Sequence, residues 1–295
     1  MRLKPSSVKS TTMVDKQLQI DRLREELLSN YPALWQKIIT GWKSPGPDRA
    51  MLMYSANYLF HTANIKWALD PLTLHWRLKE KGQGVDPADL ASISFILLTH
   101  RHEDHLDLDL LSALKDFPIT WVVPDYLLPL VTRRGVISKN IIVPAPLYPF
   151  MVEGIKITLF NGLHTAYEAA GISRGVPAAG YLVEFNGKRW LFPGDTRNYD
   201  ASQLPDFNQV DGVFAHLWMG RGCALIDPPP LLESFCRFIA SRQPDRVVIT
   251  HLMEFGRKAV DYWDVYHARK AISYFQAKYP QINASYATIG QTVFL

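Results

Sequence analysis

The imidazoles of His100, His102 and His105 and the carboxylate of Asp104 lie within six residues of this sequence. They directly follow the apolar run at 95–98, which predicts a buried strand that ends where these side chains begin. In an extended backbone His100 and His102 point the same way, because side chains alternate along a strand, so both can bind one ion. Nitrogen-rich ligation with one carboxylate favours zinc, with manganese and iron as alternatives.

The residues after this run indicate a change of chain direction. Asp107 precedes leucines at helical spacing, which predicts a helix N-cap followed by an apolar stripe. Because the chain turns before this helix, the side chains of Asp104 and His105 can point in a different direction from those of His100 and His102. The stretch can therefore hold two ions rather than one.

Three further candidate ligands lie at the ends of other apolar runs. His164, Asp195 and His251 each come directly after such a run, and Gly162 or Gly194 precedes two of them and permits a tight approach. Taken singly, Asp195 could be a turn cap and the two histidines could be structural. Their shared position at the ends of predicted strands favours ligands of one site.

The pattern His-x-His-x-Asp-His, which His100, His102, Asp104 and His105 supply, resembles the signature of the metallo-β-lactamase superfamily. The resemblance covers residues 51–260 and implies an α/β fold, the metallo-β-lactamase-like αββα four-layer sandwich. Strands interleaved with helices along the chain predict the same α/β class.

The resemblance also implies how the ligands are shared between two divalent metal ions. The first ion would be held by His100, His102 and His164, the second by Asp104, His105 and His251, and Asp195 would bridge them. Two ions roughly 3.5–4 Å apart make a shared water acidic enough to supply hydroxide, which can attack a carbonyl carbon or phosphorus. Asp104 is the candidate for proton handling, or is a metal ligand alone.

Two positions refine the resemblance. Asp107 makes the stretch similar to the branch that contains L-ascorbate-phosphate lactonase and N-acyl-phosphatidylethanolamine phospholipase D. His102 stands where the oxygen-reducing diiron relatives have a carboxylate, which favours hydrolysis over redox chemistry.

Other polar residues are predicted to surround the ligands. Asp70 and Asp107 would support metal-bound histidines through hydrogen bonds, although a turn cap is an equal alternative for Asp70. His216 and Arg221 would bind an anionic substrate such as a phosphate ester, or belong to a surface loop with a structural histidine.

The chain divides into an extension and a main domain. Residues 1–50 are predicted to form a tail and a helical extension, and residues 51–295 the hydrolase domain. Two amphipathic stripes separated by Pro32 predict two helices that cover the main domain, with a lid or dimer contact as the alternative. Asn186 and Gly187 between apolar runs predict a hairpin with a type I′ turn.

The amino-acid composition indicates a globular protein and argues against several classes of partner. Hydrophobic residues make up 47% of the 295 residues and charged residues 20%, as in globular proteins. A net charge of +4 is too small for this length to indicate nucleic acid or an anionic membrane as a partner. The two cysteines argue against a disulfide framework, and the first residues lack the apolar segment of a secretion signal. We therefore expect a cytoplasmic protein without membrane insertion, as a monomer or a homo-oligomer.

These observations predict a binuclear metal-dependent hydrolase that acts on a small phosphorylated, lactone or phosphodiester substrate. The alternatives are a nuclease of the same fold and a non-catalytic metal-binding scaffold. The small net charge argues against the nuclease. A complete ligand set argues against the scaffold, because clustered ligands cost stability whenever the metal is absent.

Overall fold

Two seven-stranded mixed β-sheets form the centre of the fold. The structure is a computed structural model that describes residues 12–79, 85–167 and 173–295. The first sheet has the order β16-β1-β2-β3-β4-β5-β6, with β1 at Arg49–Leu52, β2 at Tyr58–Thr62, β3 at Ile65–Leu69, β4 at Phe95–Leu97, β5 at Thr120–Val122, β6 at Ile141–Ile142 and β16 at Thr292–Phe294.

The second sheet faces the first and contains the remaining long strands. Its order is β15-β14-β13-β12-β11-β8-β7, with β7 at Phe150–Val152, β8 at Ile155–Asn161, β11 at Ala179–Phe185, β12 at Lys188–Phe192, β13 at Gly212–His216, β14 at Arg246–Thr250 and β15 at Asn283–Tyr286; Ala166–Tyr167 (β9) and Ser173–Arg174 (β10) form a separate pair. Asn186 and Gly187 have φ angles of 48° and 72°, which confirms the type I′ hairpin between β11 and β12.

Helices cover the outer faces of both sheets. They are α1 at Met13–Lys43, α2 at Leu74–Arg77, α3 at Leu108–Leu114, α4 at Leu128–Arg133, α5 at Leu232–Ala240 and α6 at Val265–Lys278. One core lies between the first sheet and α1, α3 and α4, a second between the sheets, and a third between the second sheet and α5 and α6. This order of layers confirms the predicted αββα sandwich. Among the described residues, no helix has the length and apolar character that crossing a membrane requires.

The strands of the central layers are apolar on both faces because each face meets a different core. In β4, Phe95 and Leu97 pack between the sheets, whereas Ile96 packs under the helices. Within the first sheet β3, β4 and β5 run parallel, and within the second β12, β13 and β14 run parallel. Parallel strands end at the same edge of a sheet, so the residues that follow them are brought together.

The N-terminal extension differs from the prediction, because α1 is one continuous helix rather than two helices separated at Pro32. Pro32 lacks the amide hydrogen that would bond to the carbonyl oxygen of Leu28 one turn earlier. His75 Nε2 lies 3.1 Å from that oxygen and supplies the missing donor. A side chain from α2 therefore satisfies the carbonyl that Pro32 leaves without a backbone donor.

The apolar face of α1 is buried against the first sheet. Trp35 Nε1 donates to Asp89 Oδ2 at 2.7 Å, and Trp42 Nε1 donates to the carbonyl oxygen of Phe60 at 2.7 Å. Both indoles are fully buried. These contacts fix α1 on the first sheet at two points along its length.

A double-mutant cycle tests the contact at Pro32. We expect His75→Ala to lower the free energy of unfolding by about 0.5–1.5 kcal/mol, because a half-buried carbonyl loses its donor. In a Pro32→Ala background the restored amide can bond to Leu28, so the loss from His75→Ala should be smaller. Urea unfolding of the four proteins measures both losses. Equal losses in the two backgrounds would show that His75 stabilises the protein through packing alone.

Candidate metal centre

The seven predicted ligands come together where strands of the two sheets end. His100 follows β4, His164 follows β8, Asp195 follows β12 and His251 follows β14. Their ligand atoms form two groups, within each of which all atoms lie within 4.8 Å of one another: His100, His102, His164 and Asp195, and Asp104, His105, Asp195 and His251.

The first group contains three imidazoles and one carboxylate oxygen. His100 Nε2 lies 3.1 Å from His102 Nδ1 and 4.0 Å from Asp195 Oδ2, and His164 Nε2 lies 3.8 Å from the same oxygen. Ligand atoms around a tetrahedral zinc ion are about 3.3–3.6 Å apart, given bonds of about 2.0–2.2 Å. The spacing of this group is close to that range.

The second group uses the other oxygen of the shared carboxylate. His105 Nε2 lies 3.3 Å from Asp195 Oδ1, and His251 Nε2 lies 3.7 Å from the same atom. His251 Nε2 is also 3.4 Å from Asp104 Oδ2. Asp195 therefore presents Oδ2 to one group and Oδ1 to the other, as a bridging carboxylate would.

The chemistry of these side chains fits a bound cation. The Nε2 atoms of His105 and His164 are buried and have no hydrogen-bond partner among the described residues. Burial keeps the pKa of His100 well below its usual value, and it lowers the pKa of His164 to about 3 and of His251 to about 4. These three imidazoles are consequently neutral at pH 7 and offer lone pairs.

His105 differs from the other histidines in its electrostatic surroundings. Burial opposes its imidazolium form, but the carboxylates of Asp195 and Asp70 outweigh burial and raise the pKa of His105 well above its usual value. A cation bound beside Nε2 would favour the neutral ring instead. Proton release from His105 would therefore accompany metal binding.

Asp70 supports this histidine from the side opposite the site. His105 Nδ1 donates to Asp70 Oδ2 at 2.8 Å, and the amide of Thr99 donates to Asp70 Oδ1 at 2.8 Å. Asn57 Nδ2 donates to the carbonyl oxygens of Asp70 and Asp104, at 2.8 and 3.0 Å. Asp70 thus holds both the ring of His105 and the chain segment that leads into the ligands.

Asp107 has a different set of contacts. Its Oδ1 accepts from the amides of Asp109 at 2.8 Å and Leu110 at 2.9 Å, as the predicted N-cap of α3. Its Oδ2 pairs with Lys79. Among the described residues, its hydrogen bonds do not reach a candidate ligand.

The two predicted substrate residues lie in different environments. His216 is buried, with Nδ1 2.9 Å from Asp195 Oδ1 and Nε2 2.9 Å from Tyr58 Oη. Its ring stacks on that of His251 at a centroid distance of 5.4 Å. His216 therefore contacts the shared carboxylate, whereas Arg221 is exposed in the loop after β13.

Sequence reasoning missed a buried ion pair beside the second group. Arg257 Nη2 donates to Asp104 Oδ2 at 2.8 Å and lies 3.5 Å from His251 Nε2. Glu254 is buried nearby, and its Oε1 lies 3.1 Å from Arg77 Nε. No spacing rule points to Arg257, since its partner is 153 residues away in the sequence.

Substitution of Asp70 tests its supporting role in the metal-free protein. Asp70→Ala leaves the buried donors of Thr99 and His105 without acceptors, so we expect a loss of about 2–4 kcal/mol in the free energy of unfolding. Asp70→Asn keeps one acceptor and should lose less. Asp116→Ala removes a carboxylate that is 78% exposed and should change stability by less than about 0.5 kcal/mol. Urea unfolding compares the three, and similar values for Asp70→Ala and Asp116→Ala would contradict the role.

A family model described as a β-lactamase superfamily domain matches residues 69–252, a range that includes all seven candidate ligands. None of the curated proteins matches the chain.

Solved structures share the fold at low sequence identity. A metallo hydrolase from the archaeon Ignicoccus hospitalis is 16% identical with a TM-score of 0.60, covering 84% of this chain and 98% of its own. Isothiocyanate hydrolase from Delia radicum gut bacteria is 19% identical with a TM-score of 0.61, covering 84% and 99%. The diiron β-hydroxylase CmlA from Streptomyces venezuelae is 17% identical with a TM-score of 0.61, covering 85% of this chain but 55% of its own. The chain belongs to the metallo-β-lactamase-fold superfamily.

Proposed function

We propose that this protein is a binuclear metal-dependent hydrolase. The observation that carries the proposal is the shared carboxylate, since Asp195 directs one oxygen to each of two ligand groups. His100, His102 and His164 would hold one divalent cation with Asp195, and Asp104, His105 and His251 would hold the other. When bound, two such cations lower the pKa of a shared water and stabilise negative charge on the substrate.

Of the two roles predicted for Asp104, its contacts support that of a ligand. Burial would raise the pKa of Asp104, but the hydrogen bond from His251 and the charge of Arg257 hold it well below its usual range. A carboxylate with so low a pKa is a poor proton acceptor near neutrality. We therefore assign Asp104 to metal binding and orientation rather than to proton transfer.

Zinc is the metal that the ligands favour, because five of the seven side chains are imidazoles. Iron and manganese are the alternatives, and the diiron relative CmlA has the same fold. The proposed substrates are small phosphorylated compounds, lactones or phosphodiesters. The stretch that ends at Asp107 resembles the branch that contains L-ascorbate-phosphate lactonase and N-acyl-phosphatidylethanolamine phospholipase D, and this resemblance supports those substrate classes.

Metal content and turnover test the proposal together. We expect elemental analysis to find about two metal ions per chain, and the loaded protein to hydrolyse bis(p-nitrophenyl) phosphate, p-nitrophenyl acetate or a simple lactone. His164→Ala and His251→Ala should each lose about one ion and lower kcat/KM at least about 100-fold. His61→Ala, which removes a buried histidine bonded to the carbonyl oxygen of Trp42, serves as the control. Less than one ion per chain, with no metal-dependent turnover, would refute the proposal.

The ion pair of Arg257 predicts that the two subsites differ in affinity. Its guanidinium already contacts Asp104 Oδ2, so a cation there meets both charge repulsion and competition for that oxygen. We expect Arg257→Gln to strengthen binding of the weaker ion about tenfold, or ~1.4 kcal/mol. Arg77→Gln, which removes a guanidinium paired with Glu254, is the matched control.

Competition with a chromophoric chelator measures the affinity of each of the two metal subsites in wild type, Arg257→Gln and Arg77→Gln. Weaker binding in Arg257→Gln would mean that the guanidinium positions Asp104 for the metal rather than competing with it.

A further inference from the structure

Arg197 is a half-buried cation beside the candidate metal centre. Its guanidinium carbon lies 5.9 Å from the centroid of the Trp218 ring. Within the described ranges no carboxylate lies within ion-pair distance of Arg197, and its side chain makes no hydrogen bond there. The guanidiniums of Arg257 and Arg77, in contrast, each pair with a buried acid.

Arg197 lies beside two of the candidate metal ligands. A small cavity of about 10 Å³, enough for about one water molecule, borders the centre. Its wall consists of Asp195, Thr196, Arg197, His216, Trp218, His251 and Arg257. Arg197 and Trp218 thus share a wall with the candidate ligands Asp195 and His251, so a group bound beside those ligands lies near the guanidinium of Arg197.

Hydrogen bonds hold the backbone of Arg197 and the backbone of Trp218 in place. The amide of Arg197 donates to the carbonyl oxygen of Leu163 at 2.8 Å, next to the candidate ligand His164. Tyr199 Oη donates to the carbonyl oxygen of Trp218 at 2.5 Å. Because the backbone is already held at both positions, ordering Arg197 on an anion costs mainly the freedom of one side chain.

We propose that Arg197, held against Trp218, binds the negatively charged phosphoryl group of the substrate beside the metal centre. This inference rests on the proposed function and selects among its substrates, favouring phosphate esters and phosphodiesters over neutral lactones and esters. A guanidinium matches the oxygens of a phosphoryl group in geometry as well as in charge. His216, predicted for this role, is bonded to Asp195 and Tyr58 instead.

Two substrates with the same leaving group but different charge test the inference. With Arg197→Ala we expect KM for anionic bis(p-nitrophenyl) phosphate to rise about tenfold, while KM for neutral p-nitrophenyl acetate changes less than about twofold. Arg197→Lys, which keeps the charge but not the planar fork, should lie between wild type and Arg197→Ala for the anionic substrate. Equal changes in the two KM values, or no change in either, would overturn the inference.

The chain contains a matched control, a second guanidinium that lies over an indole ring. Arg246 lies 5.5 Å from the ring centroid of Trp190, at the end of β14 opposite His251. Arg246→Ala should leave both KM values unchanged. A shift in KM for the anionic substrate with Arg246→Ala as large as that with Arg197→Ala would also overturn the inference.

A binding measurement separates failure of this inference from failure of the proposed function. Isothermal titration of the metal-loaded protein with inorganic phosphate requires no turnover. Affinity weakened about tenfold in Arg197→Ala but not in Arg246→Ala supports the subsite even if neither nitrophenyl substrate is hydrolysed, in which case the proposed function alone fails. Equal phosphate affinity in wild type and Arg197→Ala overturns the subsite.

Discussion

The carboxylate of Asp195 is the interaction on which the centre depends, because it is a buried charge that histidines from both ligand groups approach. Burial alone would raise the pKa of Asp195, but His251 and His105 and the hydrogen bond from His216 hold it well below its usual range. An uncompensated buried carboxylate costs on the order of several kcal/mol. The charge of His105 and the hydrogen bond from His216 therefore offset part of the cost of burying this carboxylate in the metal-free protein.

Strained backbone holds some of these groups in place. Asp70 and His251 have φ angles of 44° and 62°, in the left-handed region that costs a non-glycine residue about 1–2 kcal/mol. The amide of His251 donates to the carbonyl oxygen of Ser55 at 2.9 Å, and Asn57 binds the carbonyl oxygen of Asp70. The loop at 53–57 between β1 and β2 thus fixes both residues, which gives a segment without predicted chemistry a role in positioning the site.

Local sequence patterns predicted the strand before the ligands, the helix after them and one hairpin. The apolar run before His100 predicts a strand, Asp107 and the following leucines predict a capped helix, and Asn186-Gly187 predicts a hairpin. The structure contains β4, α3 and the β11–β12 hairpin at these places. Each pattern is read within about ten residues, where strand alternation, capping and turn geometry act directly.

What could not be predicted depends on partners that are distant in the sequence. His75 donates to the carbonyl oxygen of Leu28 from 47 residues further along the chain, and Arg257 contacts Asp104 across 153 residues. Their positions follow from how α2 and the loop after β14 pack, and no local spacing encodes that packing. The strands β15 and β16 escaped prediction for a similar reason, since β16 completes a sheet that begins with β1.

The arginines near the candidate metal centre differ in whether they form an ion pair with an acidic side chain. Arg257 and Arg77 neutralise Asp104 and Glu254, and such buried pairs have little charge left to attract a ligand. Arg197 has no such partner among the described residues, so its charge is available within the screening length of about 8 Å at physiological salt. A net charge of only +4 is therefore compatible with strong local attraction for a small anion, because that attraction arises from one guanidinium at the site rather than from the surface as a whole.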